Sequence, residues 1–273
     1  MRINNNIAAL NSHRQYGINA GNLGKNVEKL SSGFKVNRAA DDAAGLAISE
    51  KMRSQIRGLN MASKNSLDAV SLVQTAEGGM QTIQNILQRM RELSVQAGND
   101  TNTTGLDRDA LQAEFKQLVK EIDDIANSTE FNERQLLNGT NTQVVIQAGA
   151  NSGQIMTVEI AKVTAAALGV DALNISGDGI AARGATLNAV TTAINSVSMH
   201  RANLGAQQNR LEFKIQNLDN QAENISAAES RIRDADMAKM MTDFTKNSIL
   251  FQASTAMLAQ ANALPQSVLQ LLG

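Results

Sequence analysis

Hydrophobic residues between Leu187 and Ile232 recur on an alternating three-four step. Leu187, Val190, Ile194, Val197, Leu204, Leu211, Ile215, Leu218, Ala222, Ile225 and Ile232 all fall in that register, and Arg201, Gln208 and Glu229 take the remaining slots. A strict seven-residue repeat describes a helix that meets other helices along a seam. At 1.5 Å per residue the segment makes a rod about 70 Å long. The rest of the chain must supply partners for it. Composition agrees with side-by-side helices. There is one proline, so little forces a helix to stop. Aromatic residues are 3% of the chain, less than a compact globule of 273 residues usually buries.

Two partners are legible upstream. From Ala43 to about Ala97 the chain can run as nearly continuous helix, with Met52, Ile56 and Leu59 on one face. Val70, Val73, Met80, Ile83, Leu87 and Met90 continue that face, and Gly78-Gly79 makes a soft point within it. Residues 98–105 read as a turn. Leu111, Phe115, Leu118, Ile122 and Ile125 then step four, three, four, three, which predicts a helix returning antiparallel to the first. After Asn127 the period changes. Val144 to Gln147 and Ile155 to Ile160 flank a Gly/Asn loop and read as a hairpin, with Met156, Val158 and Ile160 facing one way. Residues 165–184 are rich in Ala and Gly with no period, and read as a surface loop.

The two chain ends differ from this. Ile3, Ile7 and Leu10 share a helical face that resumes at Val27 and Leu30, but Gly17, Gly21 and Gly24 interrupt it. Each glycine costs about 1 kcal/mol relative to alanine in a helix. At the other end, Asn247–Gly273 contains no charged residue and no histidine over 27 positions. A membrane span needs about 20 predominantly apolar residues. Here amides recur at almost every turn and Pro265 interrupts the run, so an amphipathic helix seeking a protein surface fits better. Ser31-Ser32-Gly33 reads as a helix stop, and Asp41 or Asp42 as the next helix start. The fold class is therefore mainly α: a long antiparallel helical bundle or coiled-coil rod with a small β-hairpin near 142–160, plus paired N- and C-terminal helices. The expected domains are 1–42 with 235–273, and 43–234.

Little in the sequence suggests chemistry. Cysteine is absent, which excludes disulfides, thiol catalysis and Cys-based zinc sites. A net charge of −1 offers no bulk attraction to nucleic acid or an acidic membrane. His13 and His200 sit alone on predicted helices and read as solvated residues. Asp41-Asp42 reads as a cap rather than a pair of catalytic acids. Arg89, Arg91 and Glu92 read as a solvated helix face, and the methionines as core packing. The N-terminus lacks the apolar core of a secretory signal peptide. The expectation is a protein with no enzyme activity, cofactor or metal.

Specific motifs at both ends go further. The N-terminal half carries Leu30-Ser31-Ser32-Gly33, Asp41-Asp42-Ala43-Ala44-Gly45-Leu46-Ala47-Ile48, Ala62-Ser63-Lys64-Asn65, Thr75-Ala76-Glu77-Gly78 and Leu87-Gln88-Arg89-Met90-Arg91-Glu92-Leu93. The C-terminal half carries Leu204-Gly205-Ala206-Gln207-Gln208-Asn209-Arg210-Leu211, Ala228-Glu229-Ser230-Arg231-Ile232-Arg233-Asp234-Ala235-Asp236-Met237-Ala238 and Ala256-Met257-Leu258-Ala259-Gln260-Ala261-Asn262. In this order they resemble bacterial flagellin, and the resemblance is weakest over 161–186, where most flagellins insert outer variable domains. It implies a short flagellin that polymerises into the helical flagellar filament, exported unfolded by a type III route and assembled at the tip. It implies an inner filament core packed by Ile3, Ile7, Leu10, Val27, Leu30, Met241, Phe244, Leu250, Phe251, Met257, Leu258, Leu269 and Leu272. The bundle seam would be Leu87, Met90, Leu111, Phe115, Leu118, Ile122, Leu204, Leu211, Ile215 and Leu218. The implied partners are many identical copies, an export chaperone on the C-terminal helix, and the filament cap and hook–filament junction proteins. A vertebrate innate immune receptor would contact Arg89, Leu93 and Glu114. Nucleic-acid binding and membrane insertion are not implied. The alternatives are a hook–filament junction protein, a membrane-inserting translocator and a filament-borne enzyme.

Overall fold

The computed structural model describes residues 6–99, 105–176 and 180–272. In chain order the elements are α1 (Ile7–Ser32), α2 (Ala43–Ala97), α3 (Gly105–Ser128), β1 (Glu130–Phe131), β2 (Arg134–Gln135), β3 (Gln143–Gln147), β4 (Ile155–Glu159), α4 (Ala165–Leu168), α5 (Ile180–Arg233) and α6 (Met237–Leu272). Local chemistry sets the boundaries. Asn6 caps α1 by accepting from the Ala9 N–H at 3.1 Å. Gly33 ends it with φ of 74°, and its N–H donates to the Lys29 carbonyl. Asp42 Oδ1 accepts from the Gly45 N–H at 2.9 Å and opens α2. Pro265 does not end α6, which continues to Leu272. The turn expected at 98–105 falls partly outside the described residues.

The chain forms two compact units. The terminal unit holds the residues up to Gln55 and those from Glu223. The central unit is Ile56–Ala222. These divisions fall inside α2 and α5, whereas the partition expected from sequence falls at the helix ends near 42 and 234.

In the central unit, α3 and α5 each pack antiparallel to α2. Thr129 lies against Gly79 while Glu114 pairs with Arg89, so α3 runs back along α2. Ser63 bonds Asp219 and Gln84 bonds Ser198, so α5 also runs opposite to α2. The core is Val73, Met80, Ile83, Leu87, Met90 and Leu93 of α2, Phe115 and Ile122 of α3, and Val190, Val197, Leu204 and Leu211 of α5. The polar slots of the α5 repeat also find partners. Arg201 donates to Gln84 at 2.6 Å and pairs with Glu77 at 3.2 Å.

β3 and β4 pair antiparallel with Val144 opposite Val158 and Ile146 opposite Met156. Val144, Ile146, Val158 and Ile160 are buried, while Val145 and Ile155 face out. Alternation with a period of two thus sets the inward face. The segment after the hairpin corrects one expectation. It runs along the surface but is anchored into the core at single residues. Val163, Ala165, Val170 and Ile175 are buried in the core, residues 165–168 form α4, and α5 already begins at Ile180. These apolar residues enter the core singly, Ala165 from one short helical turn and the others from irregular backbone, so they carry no period. β1 and β2 make a further tight hairpin with Asn132 and Glu133 at positive φ.

Candidate functional site

α1 and α6 lie antiparallel in the terminal unit. Asn6 Nδ2 donates to the Ala261 carbonyl at 2.7 Å, and Asn19 Nδ2 to the Leu250 carbonyl at 3.4 Å. The Tyr16 and Phe251 rings meet at 5.2 Å between centroids. Amides of α1 therefore reach carbonyls of α6, and one aromatic contact ties the middle. The pair closes over very little. Ser254 and Ala261 are buried, but none of the described residues of α1 is.

Six of the ten expected filament-core residues whose side chains are described face outward: Ile7 is 64% exposed, Leu10 66% and Met257 63%, and Val27, Met241 and Leu250 are also exposed. Ile249, outside that expected set, is 60% exposed. Leu30, Phe244, Phe251 and Leu258 are half-buried. Ile3 lies outside the described residues, as do the side chains of Leu269 and Leu272. Burying one such side chain is worth about 1.5–3 kcal/mol. A set of them left in water on paired helices marks an association surface.

The connectors at the base of this pair cross. Phe34 and Asp234 form an antiparallel bridge. The Lys35 N–H donates to the Arg233 carbonyl at 2.7 Å, and the Ala235 N–H to the Gly33 carbonyl at 2.9 Å. Val36 is buried beside the crossing. The Asp41 carboxylate accepts from the Asn37 and Arg38 N–H groups at 3.2 and 3.1 Å. The Arg38 backbone bond, then the Asn37 one, holds its carboxyl below the ordinary range. Sequence reasoning leaves the helix start to Asp41 or Asp42. The structure gives Asp42 the cap and Asp41 the turn before it.

Of the seam residues, Leu87, Met90, Phe115, Ile122, Leu204, Leu211 and Leu218 are buried. Leu111, Leu118 and Ile215 are half-buried. The three residues implied for receptor contact do not form one surface. Arg89 and Glu114 are exposed and paired, with Arg89 also bonded to Glu92 at 3.1 Å. Leu93 is fully buried in the core, because it continues the inward α2 face of Met90, so it cannot offer its side chain to a partner.

Sequence reasoning missed the amides that hold the central unit's irregular parts. Gln207 accepts from the Glu159 N–H at 3.0 Å and donates to the Glu159 carbonyl at 3.1 Å. Its amide thus stands in for a neighbouring strand at the β4 edge. Asn65 donates to the Gln147 carbonyl at 3.2 Å. Gln112 accepts from the Ile175 N–H at 2.6 Å and donates to the Leu173 carbonyl at 3.3 Å. Asn65 and Gln207 stand within quoted motifs, yet no local pattern announces a bond to backbone that distant. Among the described residues there is no cluster that could hold a metal ion and no helix long and apolar enough to cross a membrane.

Comparison with known proteins agrees with this architecture. Residues 3–142 match the bacterial flagellin N-terminal helical region, and residues 187–272 match the C-terminal helical region. The chain is 54% identical over 274 residues to a flagellin of Halalkalibacterium halodurans and 52% identical over 303 residues to a flagellin of Bacillus subtilis. Each alignment covers 100% of both chains. A flagellar filament 33 kDa core protein of Treponema phagedenis is 47% identical, again over 100% of both. Among solved structures, Bacillus cereus flagellin matches with a TM-score of 0.50 and 36% identity, over 61% of this chain and 94% of that one. A putative hook-associated protein of Vibrio parahaemolyticus shares the fold, with a TM-score of 0.61 at 16% identity, over 71% of this chain and 100% of that one. The chain belongs to the bacterial flagellin family, as a short form without outer variable domains, and is a subunit of the extracellular flagellar filament.

Proposed function

We propose that copies of this chain polymerise through the outward apolar faces of α1 and α6. In this reading, residues 1–42 with 235–273 form the inner wall of the filament and 43–234 the outer. One observation carries it: Ile7, Leu10, Ile249 and Met257 are each at least 60% exposed on helices that already pair with one another. A third or fourth helix is needed to cover them, and identical copies supply it. Contacts that repeat head to tail without closing give an open helical filament. The uncharged run after Lys246 suits burial on several sides.

The chain travels unfolded to the filament tip and folds there, where its neighbours complete the terminal unit. An export chaperone holds the α6 segment before that. Cap and junction proteins meet the same faces at the ends of the filament. The Arg89–Glu114 pair is the part of the outer surface available to an innate immune receptor, with Leu93 only supporting it from beneath.

The test is a chain truncated after Lys246. The central unit keeps its helical circular dichroism and its melting temperature. The truncated chain forms no filaments by electron microscopy under conditions that assemble the full chain. Filaments of full length from the truncated chain would sink the reading.

A further inference from the structure

One side chain binds the base of the terminal pair together. The Arg233 guanidinium lies over the Phe34 ring at 4.7 Å from its centroid. The same group reaches Glu50 at 2.6 Å and Ser49 at 3.4 Å. Ser49 is itself buried and donates to Glu229 at 3.1 Å. A single cation thus touches the connector leaving α1, the first turns of α2 and the end of α5. Its side chain is 12% exposed, and its Nε is buried without a hydrogen-bond partner.

That last detail argues about purpose. Burying a charge is costly, and an apolar replacement of similar volume is often as stable. The backbone crossing beneath it consists of the two hydrogen bonds described above. An isolated strand pair is marginal in water at best. The planar guanidinium can stack and donate in its own plane at the same time, which a lysine ammonium cannot. α1 ends at Ser32 and α6 begins at Met237, just outside this crossing. Where the crossing sits decides where the apolar faces of both helices point.

We propose that Arg233 is a positioning residue for polymerisation: its guanidinium fixes the crossing of the two connectors so that α1 and α6 present one composite face. This rests on the polymerisation reading above. It goes beyond it by assigning assembly competence to a side chain outside the apolar faces.

The test compares the full-length wild type with Arg233→Ala and Arg233→Lys. Three quantities are measured: the critical concentration for growth on preformed filament seeds, the exchange protection of the Lys35 and Ala235 amides, and the melting of the central unit. Arg233→Ala is expected to raise the critical concentration at least about tenfold, the size of one lost charge-assisted hydrogen bond. The two amides lose protection, and central-unit melting stays put. Arg233→Lys keeps the charge but loses the fork, and falls between. Assembly of Arg233→Ala at the wild-type concentration overturns the proposal, whether or not the amides lose protection. A matching loss of central-unit melting also overturns it, since the residue would then act on stability alone. The tail truncation probes the apolar faces and leaves Arg233 in place, so the two readings can fail separately.

Discussion

The terminal and central units are built from the same spacing and end in opposite states. Both use apolar residues three and four apart on long helices. In the central unit three helices and a hairpin close around that stripe, and Met80, Ile83, Leu87, Met90, Phe115 and Leu204 lose essentially all contact with water. In the terminal unit two helices share it, and no described residue of α1 is buried. The difference lies in how many elements surround the stripe, not in the stripe itself. A core is complete only when the chain contains enough neighbours; in the polymerisation proposed above, other copies supply the neighbours that the terminal unit lacks.

Two substitutions of similar kind should therefore have unlike effects. Phe115→Ala removes a fully buried ring and is expected to cost roughly 3–5 kcal/mol, read as a fall in the central unit's thermal or denaturant midpoint. Leu10→Asn changes a residue that is 66% exposed. It should leave that midpoint within about 0.5 kcal/mol of wild type while preventing filament growth on seeds. If Leu10→Asn destabilised the monomer as Phe115→Ala does, the contrast between the units would collapse.

A smaller effect sharpens the picture inside α2. Gly78 and Gly79 are adjacent, and helix propensity alone says that alanine at either would stabilise by up to about 1 kcal/mol. A Cβ at Gly78 meets nothing within 4 Å. A Cβ at Gly79 would stand 2.8 Å from Thr129 Oγ1 and 2.9 Å from a Leu137 methyl. Gly78→Ala should raise the unfolding midpoint. Gly79→Ala should lower it, by about 1–3 kcal/mol, as overpacking does. The soft point in the sequence is thus one permissive glycine beside one that permits close approach. Equal shifts of the same sign would show that α3 and the segment after it do not press on α2 there.

These cases mark what the sequence could tell. The bundle helices and the β3–β4 hairpin were legible because one face of each is buried, and burial writes a period of 3.6 or 2 into the residues. The ends of α1 and α2 were legible because Gly33 and Asp42 do local work. The four core residues Val163, Ala165, Val170 and Ile175 were not, since a short helix within irregular backbone writes no period. Nor were Gln112 and Gln207, whose partners lie 48 or more positions away. At the chain ends, apolar spacing in α1 and the uncharged, amide-rich tail predicted amphipathic helices, and the structure left their apolar residues open. Leu93 shows the limit of carrying roles by motif. Its neighbour Arg89 is at the surface, but the helical phase turns Leu93 inward.

The smallest predicted effect concerns the connector before α2, where local structure needs no other copy. Asp41 lies at the surface and holds the 37–41 turn by accepting from the Arg38 and Asn37 N–H groups. Those bonds favour the carboxylate, so its pKa in the folded chain lies below the ordinary value. A depressed carboxylate pKa contributes stability that is fully present above the unfolded-state value. That contribution is lost as pH falls through the folded one. The turn should persist from neutral pH into mild acid and loosen only in strong acid. The measurement is the Arg38 amide chemical shift against pH. In the wild type it should titrate on the acid side of an ordinary aspartate, and in Asp41→Ala that titration should vanish while seeded growth at neutral pH weakens only slightly. A midpoint at or above the ordinary carboxylate value would mean that the turn does not hold in the isolated chain. The connector would then depend on assembly as the apolar faces do, and the line between self-sufficient and borrowed structure would move from Ser32 to the start of α2.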